Sequence, residues 1–292
     1  MTERELRATR DPSRAREWAL VLAAEGIDTR IADEAGAYRI RVAEADASRG
    51  EASLAAYDRE RAPRPRAAAG AAREVAGLGP LNAALVVGAA MLGFYALTGP
   101  RDPEVVWFAR GSADAARIAA GELWRCVTAL TLHADGAHVV GNAVFAAVFL
   151  TAAGRGLGPG LAFALTLLAG AGGNLANAFL RDAAHVSVGA STALFGAVGV
   201  LAGWRVPQLA RMGRTGWRAA APLAAGLGLL AMLGAGSPPV DLWAHAFGLA
   251  VGAPVGAAAG RLLGKPPGWQ AQTVLALAGV ATIALCWGWA LS

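Results

Sequence analysis

Ser191 and His245, 54 positions apart, are residue types that together can perform acyl transfer. A serine hydroxyl is a weak nucleophile until a base removes its proton. Histidine, with a reference pKa near ~6.5, is the natural base at neutral pH. His138 and Asn142 are spaced i, i+4, so on a helix their side chains point the same way. They offer a ring N–H and an amide NH2, donors of the kind that stabilise an oxyanion. The bland alternative is that these two only satisfy one another and a nearby loop.

None of this chemistry works unless separate helices bring the groups together. His245, Gly248, Gly252, Gly256 and Gly260 fall 3, 4, 4 and 4 apart, on one helix face. Small residues at that spacing allow close approach of two membrane helices. Gly196, Gly199 and Gly203 follow Ser191, less tightly on the serine's own face. A dimerisation face without chemistry is the competing reading of these glycines. If Ser191 opens a helix, free backbone N–H groups there add to an oxyanion site.

The composition indicates where such helices sit. Of 292 residues, 55% are hydrophobic and 38 are glycine, which points to a membrane protein. Apolar spans are expected near 81–99, 137–153, 159–180, 189–204, 217–235, 241–260 and 271–290. Those at 137–153 and 189–204 are short for a bilayer that needs about 20 residues. Arg155, Arg205, Arg211, Arg214, Arg218, Arg261 and Lys265 fall in alternate loops, so the positive-inside rule puts those loops and the N-terminus in the cytoplasm. The loop after the first span is an exception, with Arg101, Arg110, Arg117 and Arg125. Spans two, four and six then begin outside, each with polar residues first. Polar groups at one depth on three helices imply a wet cavity open to the outside. Trp287 and Trp289 read as interfacial anchors.

The N-terminus reads differently. Met1 to Arg16 is charged, with no apolar core of a signal peptide. Residues 1–60 read as a small soluble αββα domain, with helices at Arg14–Glu25 and Ala45–Arg61. Its strands are expected at Ile27–Ala32 and Tyr38–Val42, around the turn Asp33-Glu34-Ala35-Gly36. Residues 61–80 form a basic linker. The two cysteines, Cys126 and Cys286, fit no zinc or redox motif. No basic cluster interleaves with aromatics, so nucleic acid is not an expected partner.

The motifs resemble the rhomboid family of intramembrane serine proteases. Gly189-Ala190-Ser191-Thr192 is similar to the family's Gly-x-Ser-x motif on the fourth helix. Ala244-His245-Ala246-Phe247-Gly248 resembles the sixth-helix motif, and His138-Val139-Val140-Gly141-Asn142 the second-helix His-x-x-x-Asn. Trp124-Arg125 resembles the structural Trp-Arg pair of the first external loop. The resemblance covers about Leu81 to Arg261. It implies a six-helix bundle at 81–261, with a seventh C-terminal membrane helix in 262–292. With the N-terminal domain, the expected fold is an all-α polytopic membrane protein plus a small α+β soluble unit. Ser191 is then the nucleophile, His245 the base, and His138 and Asn142 line the oxyanion hole. Gly248 and Gly252 pack the helix, and no metal or cofactor is implied.

Two positions depart from the family: Thr192 stands where glycine is common, and Phe195 where many members have tyrosine. Neither removes a catalytic group. Asp241 reads as a helix cap rather than a third catalytic member, and His133 and His185 as solvated loop residues without a catalytic role. The resemblance implies cleavage of single-pass membrane proteins at a small residue. The expected location is the inner membrane of a bacterium, with the active site opening to the extracytoplasmic side. Two other readings stand beside it: a catalytically inactive rhomboid relative that binds membrane clients, and a small-molecule transporter. The sequence names neither substrate nor oligomeric state.

Overall fold

The computed structural model describes residues 2–34, 36–61, 79–211, 213, 224, 228 and 241–292. The chain divides into two compact units, Met1–Val75 and Ala76–Ser292.

The first unit runs β1 (Glu3–Thr9), α1 (Pro12–Ala24), β2 (Thr29–Glu34), β3 (Ala37–Ala43), α2 (Ala47–Arg61). Its antiparallel sheet has the order β1-β3-β2. Asp11 starts α1, its Oδ1 accepting from the Ser13 amide at 2.8 Å. Gly26 follows the helix at φ 70°, in the left-handed region. Trp18, Leu22, Ile27, Ile40 and Leu54 fill the core. The sequence reading αββα lacks β1. That strand has no apolar run; it joins β3 in an antiparallel ladder, accompanied by ion pairs of Glu5 with Arg39 at 2.7 Å and Glu3 with Arg30 at 3.6 Å. Leu6 packs onto the core, and the Arg7 guanidinium lies 5.4 Å from the centroid of the Trp18 ring.

The second unit is helical. Its long helices are α3 (Pro80–Thr98), α7 (Gly136–Leu157), α8 (Pro159–Leu180), α9 (Ser191–Arg211), α10 (Leu242–Leu263) and α11 (Trp269–Leu291). All six are long and apolar enough to cross a membrane, so this is a multi-pass membrane protein. Between α3 and α7 lie three short helices, α4 (Val106–Gly111), α5 (Ala115–Ala119) and α6 (Arg125–Thr128). The span expected at 217–235 lies outside the described residues, save Ala224 and Gly228. The two short-looking spans extend to 22 and 21 residues. Their far turns carry Gly154-Arg155-Gly156 and Arg205 with Pro207, which ended the apolar pattern early.

The arginine-rich first loop also has a structural account. The Arg125 side chain is 1% exposed. It donates to Glu122 Oε2 (2.6 Å) and to the carbonyls of Ser112 and Ala109 (both 3.0 Å). Arg117 pairs with Asp114 and Glu122, and Arg101 donates to the Val186 carbonyl. These bonds tie the loop together, with Arg125 buried while Arg117 and Arg101 stay exposed. Trp124 sits beside Arg125, part-buried and packed against the aromatic group around Phe108 and Trp287.

The centre of the bundle is the contact between α9 and α10. Gly248 packs on the Thr192 carbonyl, Gly252 on that of Gly196, Gly256 on that of Val200, and Gly260 on that of Trp204. Gly199 and Gly203 answer from α9, against the Leu249 and Ala253 carbonyls. Each pair steps by four on both helices, so the two run parallel in one register. A Cβ at Gly252 would overlap the Gly196 carbonyl oxygen. Backbone cannot yield as a flexible side chain can, so the helices must separate.

Gly252→Val is therefore expected to lower stability by about 1–3 kcal/mol or more. Gly93→Ala, with open space around its Cβ, should be close to neutral. Thermal unfolding in detergent compares them; equal midpoints would contradict the close-packed interface.

Candidate active site

Ser191 is the first residue of α9 and His245 lies in the first turn of α10. The parallel register sets both at one end of the bundle. There Ser191 Oγ and His245 Nε2 are 2.7 Å apart. For the hydroxyl to donate, Nε2 must be the unprotonated nitrogen, which leaves the proton on Nδ1. His245 is buried, and its Nδ1 has no hydrogen-bond partner among the described residues. Phe195, one turn along from Ser191, stacks on the imidazole with centroids 4.7 Å apart and planes 14° from parallel. The phenyl ring thus holds the imidazole by a flat face alone.

Asp241 does not reach toward a triad. Its Oδ1 accepts from the Ala244 amide at 3.1 Å, capping α10. Its Oδ2 takes His185 Nε2 at 2.7 Å and Asn177 Nδ2 at 3.4 Å. His185, read from the sequence as a solvated loop histidine, is instead tied to the start of the helix that carries His245. His133 also departs from that reading, with no exposure. It packs edge-on to His138 with centroids 5.3 Å apart. No local pattern announced either arrangement, because both partners come from other parts of the chain or from a folded loop.

His138 and Asn142 come from the first two turns of α7, whose N-cap Asp135 accepts from the His138 amide at 2.8 Å. The Ala134 amide donates to His138 Nδ1 at 3.3 Å. In the neutral ring this puts the proton on Nε2, making that atom a donor. A Cβ on Gly189 would fall within 2.8 Å of His138 Nε2, so this nitrogen lies beside the chain entering Ser191. Asn142 is buried and its Nδ2 has no partner among the described residues. A buried amide NH2 left unpaired costs free energy unless a ligand or water meets it. His138, Asn142, Ser191, Phe195 and His245 line one cavity of about 170 Å³, with Phe145, Phe149 and Leu194 as its apolar walls.

The approach to Ser191 is fixed by backbone. Gly189 has φ 132°, and a side chain there would strike the His138 ring. Its amide donates to the Ala129 carbonyl at 2.9 Å. The two-residue strands β4 (Ala113–Asp114) and β5 (Val186–Ser187) pair just upstream. Asn174 of α8 donates to the Cys126 carbonyl at 3.0 Å. First loop, α8 and serine loop are thus braced together. Thr192 turns away from the cavity: its methyl meets Gly173 and Gly248. Gly248 and Gly252 lie on the helix contact, not in the cavity. No group of three or more metal-ligating side chains occurs among the described residues.

Residues 120–262 match the family model described as Rhomboid domain. The chain belongs to the rhomboid family. No curated protein matched the chain. The rhomboid domain runs from just before Trp124 to the last turn of α10. It takes in the serine, both histidines of the cavity, Asn142 and the glycine contact. The N-terminal unit, α3 and α11 fall outside the matched stretch.

His133 gives the domain an acid sensitivity. Burial, with the neighbouring His138 adding to it, pushes its pKa down from 6.5 to about 4. Between those values the unfolded chain binds a proton that the folded chain does not. Stability is then full above about pH 6.5 and falls as pH drops toward 4, by a limit on the order of 3 kcal/mol. His133→Asn should flatten that decline in thermal unfolding over this range. An unchanged acid limb would rule out the assignment.

Proposed function

We propose that this rhomboid is an intramembrane serine endopeptidase. The observation that carries the reading is the 2.7 Å contact between Ser191 Oγ and His245 Nε2, in a cavity that also holds an unpaired amide NH2. Ser191 attacks a peptide carbonyl carbon while His245 Nε2 takes its proton. The carbonyl oxygen becomes an oxyanion. Asn142 Nδ2, His138 Nε2–H and first-turn N–H groups of α9 are the donors available to it. Collapse expels the amine, protonated by His245. Water, deprotonated by the same imidazole, then hydrolyses the acyl-enzyme. The base acts as one half of a dyad, since Asp241 is committed to the helix cap and to His185.

The proposed substrates are single-pass membrane proteins, cut at a small residue where the helix unwinds. A peptide bond inside an intact helix keeps its hydrogen bonds, so local unwinding must precede attack. The proposed setting is a bacterial inner membrane, N-terminus in the cytoplasm, with the serine end facing the extracytoplasmic side.

Purified protein reconstituted with a model single-span substrate tests this. Ser191→Ala and His245→Ala should each slow cleavage by about 10³-fold or more. Asn142→Ala should lower kcat by about 10²–10³ with little change in KM. A fluorophosphonate probe should label Ser191 only when His245 is present. Wild type and Ser191→Ala cutting at one rate would exclude the mechanism. A folded wild type with neither cleavage nor labelling would favour the client-binding reading.

A further inference from the structure

The bundle holds a second cavity, of about 410 Å³, apart from the one at Ser191. Its walls come from α3, α7, α8, α9 and α11, and its lining carries no charged side chain. The rear wall includes Leu150, Ala190, Ala193 and Leu194, all buried. The front differs: Val86 of α3 and Val280 of α11 are 53% and 57% exposed. The cavity is therefore a cleft open sideways between α3 and α11. At the serine end it is shut by Phe94 against Trp287, centroids 5.5 Å apart. Trp287 Nε1 donates to Thr131 Oγ1 at 3.1 Å, which anchors that lid. From Val86 to Phe94 the α3 wall rises about 12 Å.

The depth of the cleft follows from α11. Its Trp269 and Trp289 are 60% and 62% exposed at opposite ends of the helix. Twenty residues of helix separate them by about 30 Å, the thickness of a hydrocarbon core, and exposed tryptophans mark its two boundaries. Val280 and Ala284 lie between those markers, so the mouth faces hydrocarbon. An apolar cleft left empty forfeits the dispersion contacts of its walls. Water does not replace them where the lining is apolar. At this depth the mobile molecules at hand are lipid chains.

We infer that the cleft between α3 and α11 is a binding site for one acyl chain of a membrane lipid. The chain enters from the side and ends under the Phe94–Trp287 lid. Its inner face packs on Ala190, Ala193 and Leu194. Leu194 also lines the cavity at Ser191, so one side chain divides the bound chain from the serine pocket. The inference needs only a membrane-embedded bundle and stands whether or not the protein cleaves peptides.

The test uses the full chain in nanodiscs of phosphatidylcholine bearing a mid-chain diazirine. After irradiation, labelled residues are mapped by mass spectrometry. Leu277 and Leu285 of α11 are exposed and serve as the positive control. Gly199 to Gly203, at the α9–α10 contact, serve as the negative control. Label on Ala190 to Leu194 at five-fold or more above the negative control is the expected result. Ala284→Trp, which fills the mouth, should cut that label at least five-fold and leave Leu277 and Leu285 unchanged. Val280→Phe is the second mouth variant, and each is used only if its thermal midpoint matches wild type. Labelled Leu277 and Leu285 with an unlabelled rear wall would overturn the inference. So would rear-wall label indifferent to both variants. A crosslink from Ala284→Cys to residues 217–235 or to a second copy, in place of lipid label, would assign the cleft to protein and also overturn it.

Discussion

The structure rests on the contact of α9 with α10 at glycine distance. Each helix presents glycine where the other presents a backbone carbonyl. In hydrocarbon no hydrophobic force drives helices together, so stability must come from close packing. Glycine is the one residue that brings two backbones near enough for that packing to be dense. The same closeness puts a short hydroxyl side chain on one helix within a hydrogen bond of an imidazole on the other. With a larger residue at any of these steps, Ser191 and His245 would be separated by the thickness of a side chain.

Packing along the axis does not by itself orient the groups at the end of the bundle. That task falls to polar braces in the loops. Arg125 gathers the first loop around its guanidinium, and a short strand pair ties that loop to the segment entering Ser191. His185 and Asp241 link the serine loop to the cap of α10. Ala134 sets the tautomer of His138. These braces sit at one end only. At the other end, buried Trp204 packs against Leu157, Leu161 and Val200. There Gln272 of α11 stitches the α7–α8 turn, donating to the Leu157 carbonyl and accepting from the Leu161 amide. The loop braces gather at one end, the other is packed around Trp204 and tied by Gln272 and Arg211, and the proposed chemistry belongs to the first.

Much of this was legible in the residues. Apolar stretches long enough to cross a bilayer are a strong signal, and five of the six described helices of membrane length were bounded within about four residues at their starts and ends. The exception is α9, where Arg205 and Pro207 broke the pattern before the helix ended. The small unit was less legible. Strand β1 is joined to β3 through its backbone and carries mostly charged side chains, and a strand of charges has no period for a hydrophobic reading to find. The buried state of His133 was not legible, because burial of a loop residue depends on what covers it.

From residue order alone came the kinds of groups available, the helices that carry them and the four-residue glycine step that makes approach possible. Those are local facts, set by side-chain chemistry and helical periodicity. Tertiary structure alone decided which nitrogen of His245 faces the serine, that Asp241 also holds His185, that Thr192 points away from the cavity, and that a cleft remains between α3 and α11. Each of these depends on atoms far apart in the chain meeting within a few ångströms, and no spacing within one element encodes such a meeting.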